Sequence, residues 1–138
     1  MSNWNERVIA EFRSHGGRVG GSFEGAPLLL LHSTGARSGQ ERVNPMMYQA
    51  VGDAFAVFAS KAGADTNPDW FYNLRAHPDV TVEVGDGERV ETLTVTARVL
   101  DDAEREPVWA TQKERYPGFA DYETKTSRVI PVVLLERR

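Results

Sequence analysis

A chain of 138 residues with a 41% hydrophobic share suits one domain, residues 1–138, built on a single core. It has no cysteine, which excludes disulfides, thiolate metal sites, iron–sulfur clusters and a cysteine nucleophile, so any redox chemistry has to be borrowed from a cofactor. The net charge of −4 argues against nucleic acid as a partner and makes a local island of cations informative.

Residues 3–14 carry Trp4, Val8, Ile9 and Phe12 at helical spacings between Asn5, Glu6, Arg7, Glu11 and Arg13. This predicts an amphipathic N-terminal helix, within residues 1–16, ended by Gly16 and Gly17. The stretch is charged throughout and lacks an apolar run, so it reads as neither signal peptide nor membrane span, and a cytoplasmic protein is expected. RVGGSFEGAP reads as an irregular loop leading to a strand from Pro27 to His32. The four leucines Leu28 to Leu31 predict a strand buried on both faces, as in the wall of a closed barrel with a helix outside.

The loop STGARSGQER follows, gathering Ser33, Thr34, Gly35, Arg37, Ser38, Gly39 and Arg42. Backbone N–H groups, hydroxyls and two guanidinium groups there suit an anion such as a phosphate. An ordinary solvated turn has the same composition. The spacing is neither that of a Walker loop nor GxGxxG. Strands are expected over Met46 to Val51 and Ala54 to Ala59, joined by a Gly52-Asp53 hairpin turn. Lys61 then adds a third cation at a strand end.

Asn67 is expected to cap a helix that has Pro68 at its first position and is ended by Pro78, with Trp70 and Leu74 on one face. Val80, Val82 and Val84, then Leu93, Val95, Ala97 and Val99, alternate with polar residues across a turn at Gly85-Asp86-Gly87. Asp101, Asp102 and Glu104 start a helix that runs through Trp109 towards Tyr116. After Pro117-Gly118, FADYETKT predicts a short helix and RVIPVVLLE the last strand, where Pro131 implies an edge, a bulge or a seam. His15, His32 and His77 are scattered, so no metal site is expected. The sum is an α+β fold, a six-stranded antiparallel barrel with flanking helices.

Three runs carry a resemblance: LLLLHSTGARSGQERVNPMMY, FASKAGADTNPDWFYNLRAHPDVTVEV and ERYPGFADYETKTSRVIPVVLLE. With TGxRSGxxRxNP, ASKxG, NPxWxxNLxAxP and TxRxIPVV in that order, nearly the whole chain resembles the deazaflavin (F420)-dependent nitroreductase and quinone reductase family. The resemblance sharpens the barrel to the FMN-binding split barrel. It implies hydride transfer from F420H2 to quinones, nitroaromatics or other activated conjugated xenobiotics.

By the same resemblance, Arg37, Ser38, Arg42 and Lys61 hold the cofactor's phosphate end. Val43, Asn44, Pro45, Met46 and Met47, with Phe58, Ala59 and Ser60 and with Asp69, Trp70, Phe71, Tyr72 and Asn73, line its ring and chain. Many relatives carry a further cation where this chain has Ala36. Ser60, Tyr116, Phe119 and Tyr122 are implied beside the substrate, and Phe119 stands where the best-known nitroimidazole-reducing members have a tyrosine. The aromatics of YPGFADY are expected to fold over the barrel mouth, away from the phosphate loops. The family also implies that the N-terminal helix lies near the mouth or at the inner membrane face, beside the plainer reading that it packs on its own core. An FMN-binding flavoprotein and a non-catalytic cofactor-binding protein are the alternatives.

Overall fold

A computed structural model of the protein describes residues 3–20 and 27–138, apart from the side chains of Asn3, Trp4 and Ala62. The expectations for the Trp4 side chain and for residues 21–26 lie outside the described residues. Helix α1 (Asn3–Ser14) precedes β1 (Leu28–Thr34), β2 (Glu41–Met47), β3 (Gln49–Val51) and β4 (Ala54–Phe58). A 3-10 turn (Lys61–Gly63) and α2 (Asp69–Ala76) lead to β5 (Asp79–Gly85) and β6 (Val90–Val99). Helices α3 (Asp102–Arg115) and α4 (Gly118–Thr124) then precede β7 (Val132–Arg137).

The strands form one antiparallel sheet in the order β2-β1-β5-β6-β7-β4-β3. Its two outer strands, β2 and β3, are separated only by Tyr48, so the sheet curls until its edges meet. Seven strands therefore replace the expected six. The predicted Met46–Val51 strand is divided because the chain changes partners at Tyr48, pairing with β1 before it and with β4 after it. The Tyr48 N–H leaves the ladder and donates to the Pro27 carbonyl at 3.1 Å, while its ring meets Phe55 edge-on at 5.2 Å between centroids.

The four leucines behave as their pattern predicts. Leu29 and Leu31 point into the curl among Val57, Val82, Val95 and Leu135, and Leu28 and Leu30 point outward beneath Val8 and Phe12 of α1. All four are buried, each contributing about 1.5–3 kcal/mol. On the opposite wall β4 also alternates: Phe55 and Val57, with Ala59 just beyond the strand, face inward, while Ala56 and Phe58 pack under α3 with Trp109 and Ile130.

A polar tie reinforces α1. Arg13 Nε and Nη2 donate to the two carboxylate oxygens of Glu83 on β5 at 3.0 and 2.6 Å, and His32 Nε2 donates to the same carboxylate. The Arg13 bonds outweigh burial and, with His32, hold the Glu83 carboxyl below its usual range. At the C-terminus, Pro131 falls one residue before β7, outside the strand predicted to contain it. Strand β7 lies between β6 and β4, where a missing N–H would break a ladder, so pairing starts at Val132.

Candidate functional site

The first basic loop is shorter than the sequence suggests. Ser33 and Thr34 belong to β1 and Arg42 to β2, paired as Ser33↔Arg42 and Thr34↔Glu41, so only residues 35–40 make the turn. The turn closes on itself, with Gly35 N–H donating to Gln40 O at 2.8 Å, Gly39 N–H to Gly35 O at 3.0 Å and Gln40 N–H to Ser38 Oγ at 3.2 Å. Gly39 sits at φ 70°, where glycine is unstrained, and a Cβ on Gly35 would collide with Ser38 Oγ. Ala36, Arg37, Ser38 and Arg42 are exposed, and among the described residues no carboxylate pairs with either arginine.

The second loop follows β4. Lys61 has φ 47°, the one positive value among the described non-glycine residues, and its ammonium donates to Thr66 Oγ1 at 3.2 Å. Asn67 does not cap α2 as expected. Pro68, which has no side-chain acceptor, occupies that position, and the Asn67 Oδ1 instead accepts from Arg128 Nη1 at 2.7 Å.

Both loops reach the same end of the curled sheet. Going back along β2 from Gln49 to Arg42, and forward along β4 from Ala56 to Lys61, the chain runs in the same direction away from the Gln49↔Ala56 pair. Beyond Tyr48 the two strands part: β2, carrying Val43 to Met47, pairs only with β1, and Val57 and Phe58 pair only with β7. Each thus turns an unpaired backbone edge to the gap, where a ligand can bond to main-chain groups. Arg42, Asn44 and Met46 alternate onto the face that Ser33, Leu31 and Leu29 present, while Val43 and Met47 join the cluster under α1 and Pro45 shares their register.

Helix α2 bridges the loops. Asn67 stands just before it, and Asn73 within it is buried, its Oδ1 accepting from Ala36 N–H at 2.9 Å and its Nδ2 donating to Ser33 Oγ at 3.4 Å. Phe71 is buried and half-buried Trp70 packs against the inner core, whereas Asp69 and Tyr72 are exposed.

The implied substrate residues lie on the α3–α4 side. Tyr116 ends α3, and Phe119 on α4 packs on Phe58, Trp109 and Tyr122 at centroid distances of 5.6, 6.1 and 5.2 Å. Contrary to expectation, α4 does not stay away from the basic loops. It packs on the 3-10 turn, where Gly63, at φ 83°, lets the Tyr122 carbonyl come within 2.9 Å of the place a Cβ would occupy. Ser60 starts that turn, its carbonyl accepting from Gly63 N–H at 2.9 Å.

One residue of the site went unassigned in the sequence. Arg128 donates from Nε to Ala64 O at 2.9 Å and from Nη2 to Ala59 O and Ser60 O at 3.1 and 3.0 Å, besides its bond to Asn67. Its signal was its place in TxRxIPVV, but no spacing says which loop a residue so far along the chain reaches.

The sequence matches the family model for F420H2-dependent quinone reductases over residues 4–137. The chain belongs to the F420H2-dependent quinone reductase family. It is an oxidoreductase with coenzyme F420 as its cofactor. An F420H2-dependent quinone reductase of Mycobacterium tuberculosis (strain ATCC 25618 / H37Rv) is 37% identical over 100% of this chain and 99% of its own. A solved F420-H2 dependent reductase, FDR-A, is 41% identical with a TM-score of 0.70, covering 80% of this chain and 94% of its own. The heme storage protein HutZ from Vibrio cholerae, 17% identical with a TM-score of 0.63 over 96% of this chain and 89% of its own, shares the fold alone.

The residues present fit the family's cofactor. A phosphate and an acidic tail need cations without carboxylate partners, and a flat ring needs a slot with free main-chain groups at its edges; the two loops and the β2–β4 gap supply both kinds. No helix among the described residues is long and apolar enough to cross a membrane.

Proposed function

We propose that Arg37, Ser38, Arg42 and Lys61 hold the phosphate end of F420, and that the edges at Val43 to Met47 and Phe58 to Ser60 flank its ring and chain. The observation that carries this reading is that two loops bearing unpaired or strained cations flank one end of a gap between unpaired strand edges. The chain acts as one split-barrel domain, the six-stranded form being recovered when β2 and β3 are counted as a single strand bent at Tyr48. Trp70, with Asp69 and Phe71 to Asn73, forms a wall of the ring site.

When bound, reduced F420 supplies the hydride, and the chain's own groups bind, orient and exclude water. The acceptor is a quinone-like, nitroaromatic or other conjugated compound, taken up in the cytoplasm or at the inner membrane face beside α1. Ser60, Tyr116 and Tyr122 offer hydroxyl donors to charge that develops on the acceptor, and Phe119 adds an apolar contact. With Met46, Phe58 and Ala59 among the residues of the two edges, the site suits a flat conjugated molecule better than a small polar metabolite.

Anaerobic turnover of a soluble menaquinone analogue with F420H2 tests the reading, with an expected steady oxidation of the cofactor. Saturation by a small hydrophilic keto acid without quinone turnover contradicts it. Titration with FMN in parallel separates the flavoprotein alternative, which requires FMN to bind more tightly than F420.

A further inference from the structure

The geometry points to Arg128 as a positioning residue that fixes Lys61 in its left-handed conformation and so sets the affinity of the anion site. The inference rests on the cofactor reading above, since it names the residue through which that site is held.

Arg128 lies between α4 and β7, outside the loop it touches. Its guanidinium makes four hydrogen bonds, to the carbonyls of Ala59, Ser60 and Ala64 and to the Asn67 side chain, at 2.7 to 3.1 Å. Two acceptors precede Lys61 and two follow it, so one rigid planar group grips the loop on both sides of that residue. Among the described residues no carboxylate pairs with Arg128, so its charge is spent on loop oxygens.

The grip accounts for an otherwise unfavourable backbone. A lysine at φ 47° is disfavoured by about 1–2 kcal/mol against the right-handed region, and such a conformation persists only where its surroundings over-determine it. The loop's own bonds, Gly63 N–H to Ser60 O and Ala64 N–H to Lys61 O at 2.9 and 3.0 Å, make a single 3-10 turn. One such turn is a poor clamp by itself. Without Arg128 the Lys61 backbone relaxes to the right-handed region, and its ammonium loses a fixed place.

The experiment is a double-mutant cycle read by F420 fluorescence titration at fixed salt, with amide hydrogen exchange as a second readout. Arg128→Ala is expected to weaken F420 binding about tenfold in the wild-type background. In a Lys61→Ala background the same change is expected to cost less than about twofold, because the residue through which it acts is gone. Arg128→Lys restores part of the affinity, having fewer donors and no plane, and replaces Arg128→Ala in the cycle if that variant does not fold. Exchange at the Gly63 and Ala64 amides rises in Arg128→Ala while that at Leu31 stays unchanged.

Equal losses in both backgrounds overturn the inference, since Arg128 would then act by its own charge or through the fold. If the wild-type chain does not bind F420, the cofactor reading fails, and exchange alone decides the clamp. Unchanged protection at Gly63 and Ala64 in the Arg128 variant then overturns it, and a loss confined to that loop supports it.

Discussion

The two basic loops at the end of the curled sheet differ in how far they lean on remote groups: one bond, from Ala36 N–H to Asn73 Oδ1, ties the first, and four from Arg128 tie the second. Residues 35–40 close through bonds among themselves, with Gly35, Ser38 and Gly39 each doing what their residue type does in any tight turn, and leave Arg37 and Arg42 exposed at its rim. Residues 60–67 also bond among themselves, Gly63 N–H to Ser60 O, Ala64 N–H to Lys61 O and Lys61 Nζ to Thr66 Oγ1, but a remote group adds four bonds more. They hold a lysine at φ 47° and are gripped by the guanidinium of Arg128, which arrives from the segment between α4 and β7. A locally closed turn presents its cations on long, mobile side chains, whereas a remotely clamped one fixes the backbone from which its cation projects. Under the proposed cofactor site, removing the second loop's cation is expected to cost more affinity than removing one from the first.

The largest expected effect removes the tie between the first loop and α2. Asn73→Ala removes the acceptor of the Ala36 N–H and the donor to Ser33 Oγ, both near a buried amide, and is expected to cost about 2 kcal/mol of stability in urea unfolding. A loss below a few tenths of that would mean the turn stands without α2.

Glu83→Gln sharpens the comparison from outside both loops. The change unpairs Arg13 and is expected to cost about 1.5 kcal/mol at neutral pH, with F420 affinity untouched. Because the folded-state pKa of Glu83 lies below its usual 4.5, the stabilisation is complete above that pH and is lost as pH falls through the folded value. The variant's unfolding free energy should therefore fall less steeply than wild type in acid, measured by urea unfolding from neutral pH downwards.

A smaller effect isolates strain in the second loop. Lys61→Gly and Lys61→Ala both remove the ammonium, but only glycine is at ease at φ 47°, so the glycine variant should be more stable by about 1 kcal/mol. Equal stabilities would show that the loop relaxes freely. Smallest of all, Arg37→Ala should weaken F420 binding by about 0.5 kcal/mol, and the loss should shrink as salt rises, as for an exposed charge contact.

Residue pattern was enough wherever local rules govern. Four leucines in a row announced a strand covered on both faces, and Gly52 at φ 59° makes the hairpin turn expected of Gly52-Asp53. The strand change at Tyr48 was hidden because nothing in MMYQAV interrupts its β-forming character; only the closure of the sheet requires it. Asn67 looked like a helix cap for the same reason that Arg128 looked like nothing in particular, since their bond joins residues 61 positions apart. The placement of α4 against Gly63 was equally illegible, because it depends on two backbones approaching where a side chain is missing.

If cations from both loops hold the phosphate end of the cofactor, their loss must weaken binding of the intact cofactor and spare that of its ring. Titrating wild type, Arg42→Ala and Lys61→Ala with intact F420 and with its dephosphorylated, tail-free deazaflavin fragment tests this most directly. Lys61→Ala is expected to weaken binding of the intact cofactor about tenfold and Arg42→Ala by less, while the fragment binds all three proteins alike. Unchanged F420 affinity in both variants, or an equal loss for the fragment, would contradict it.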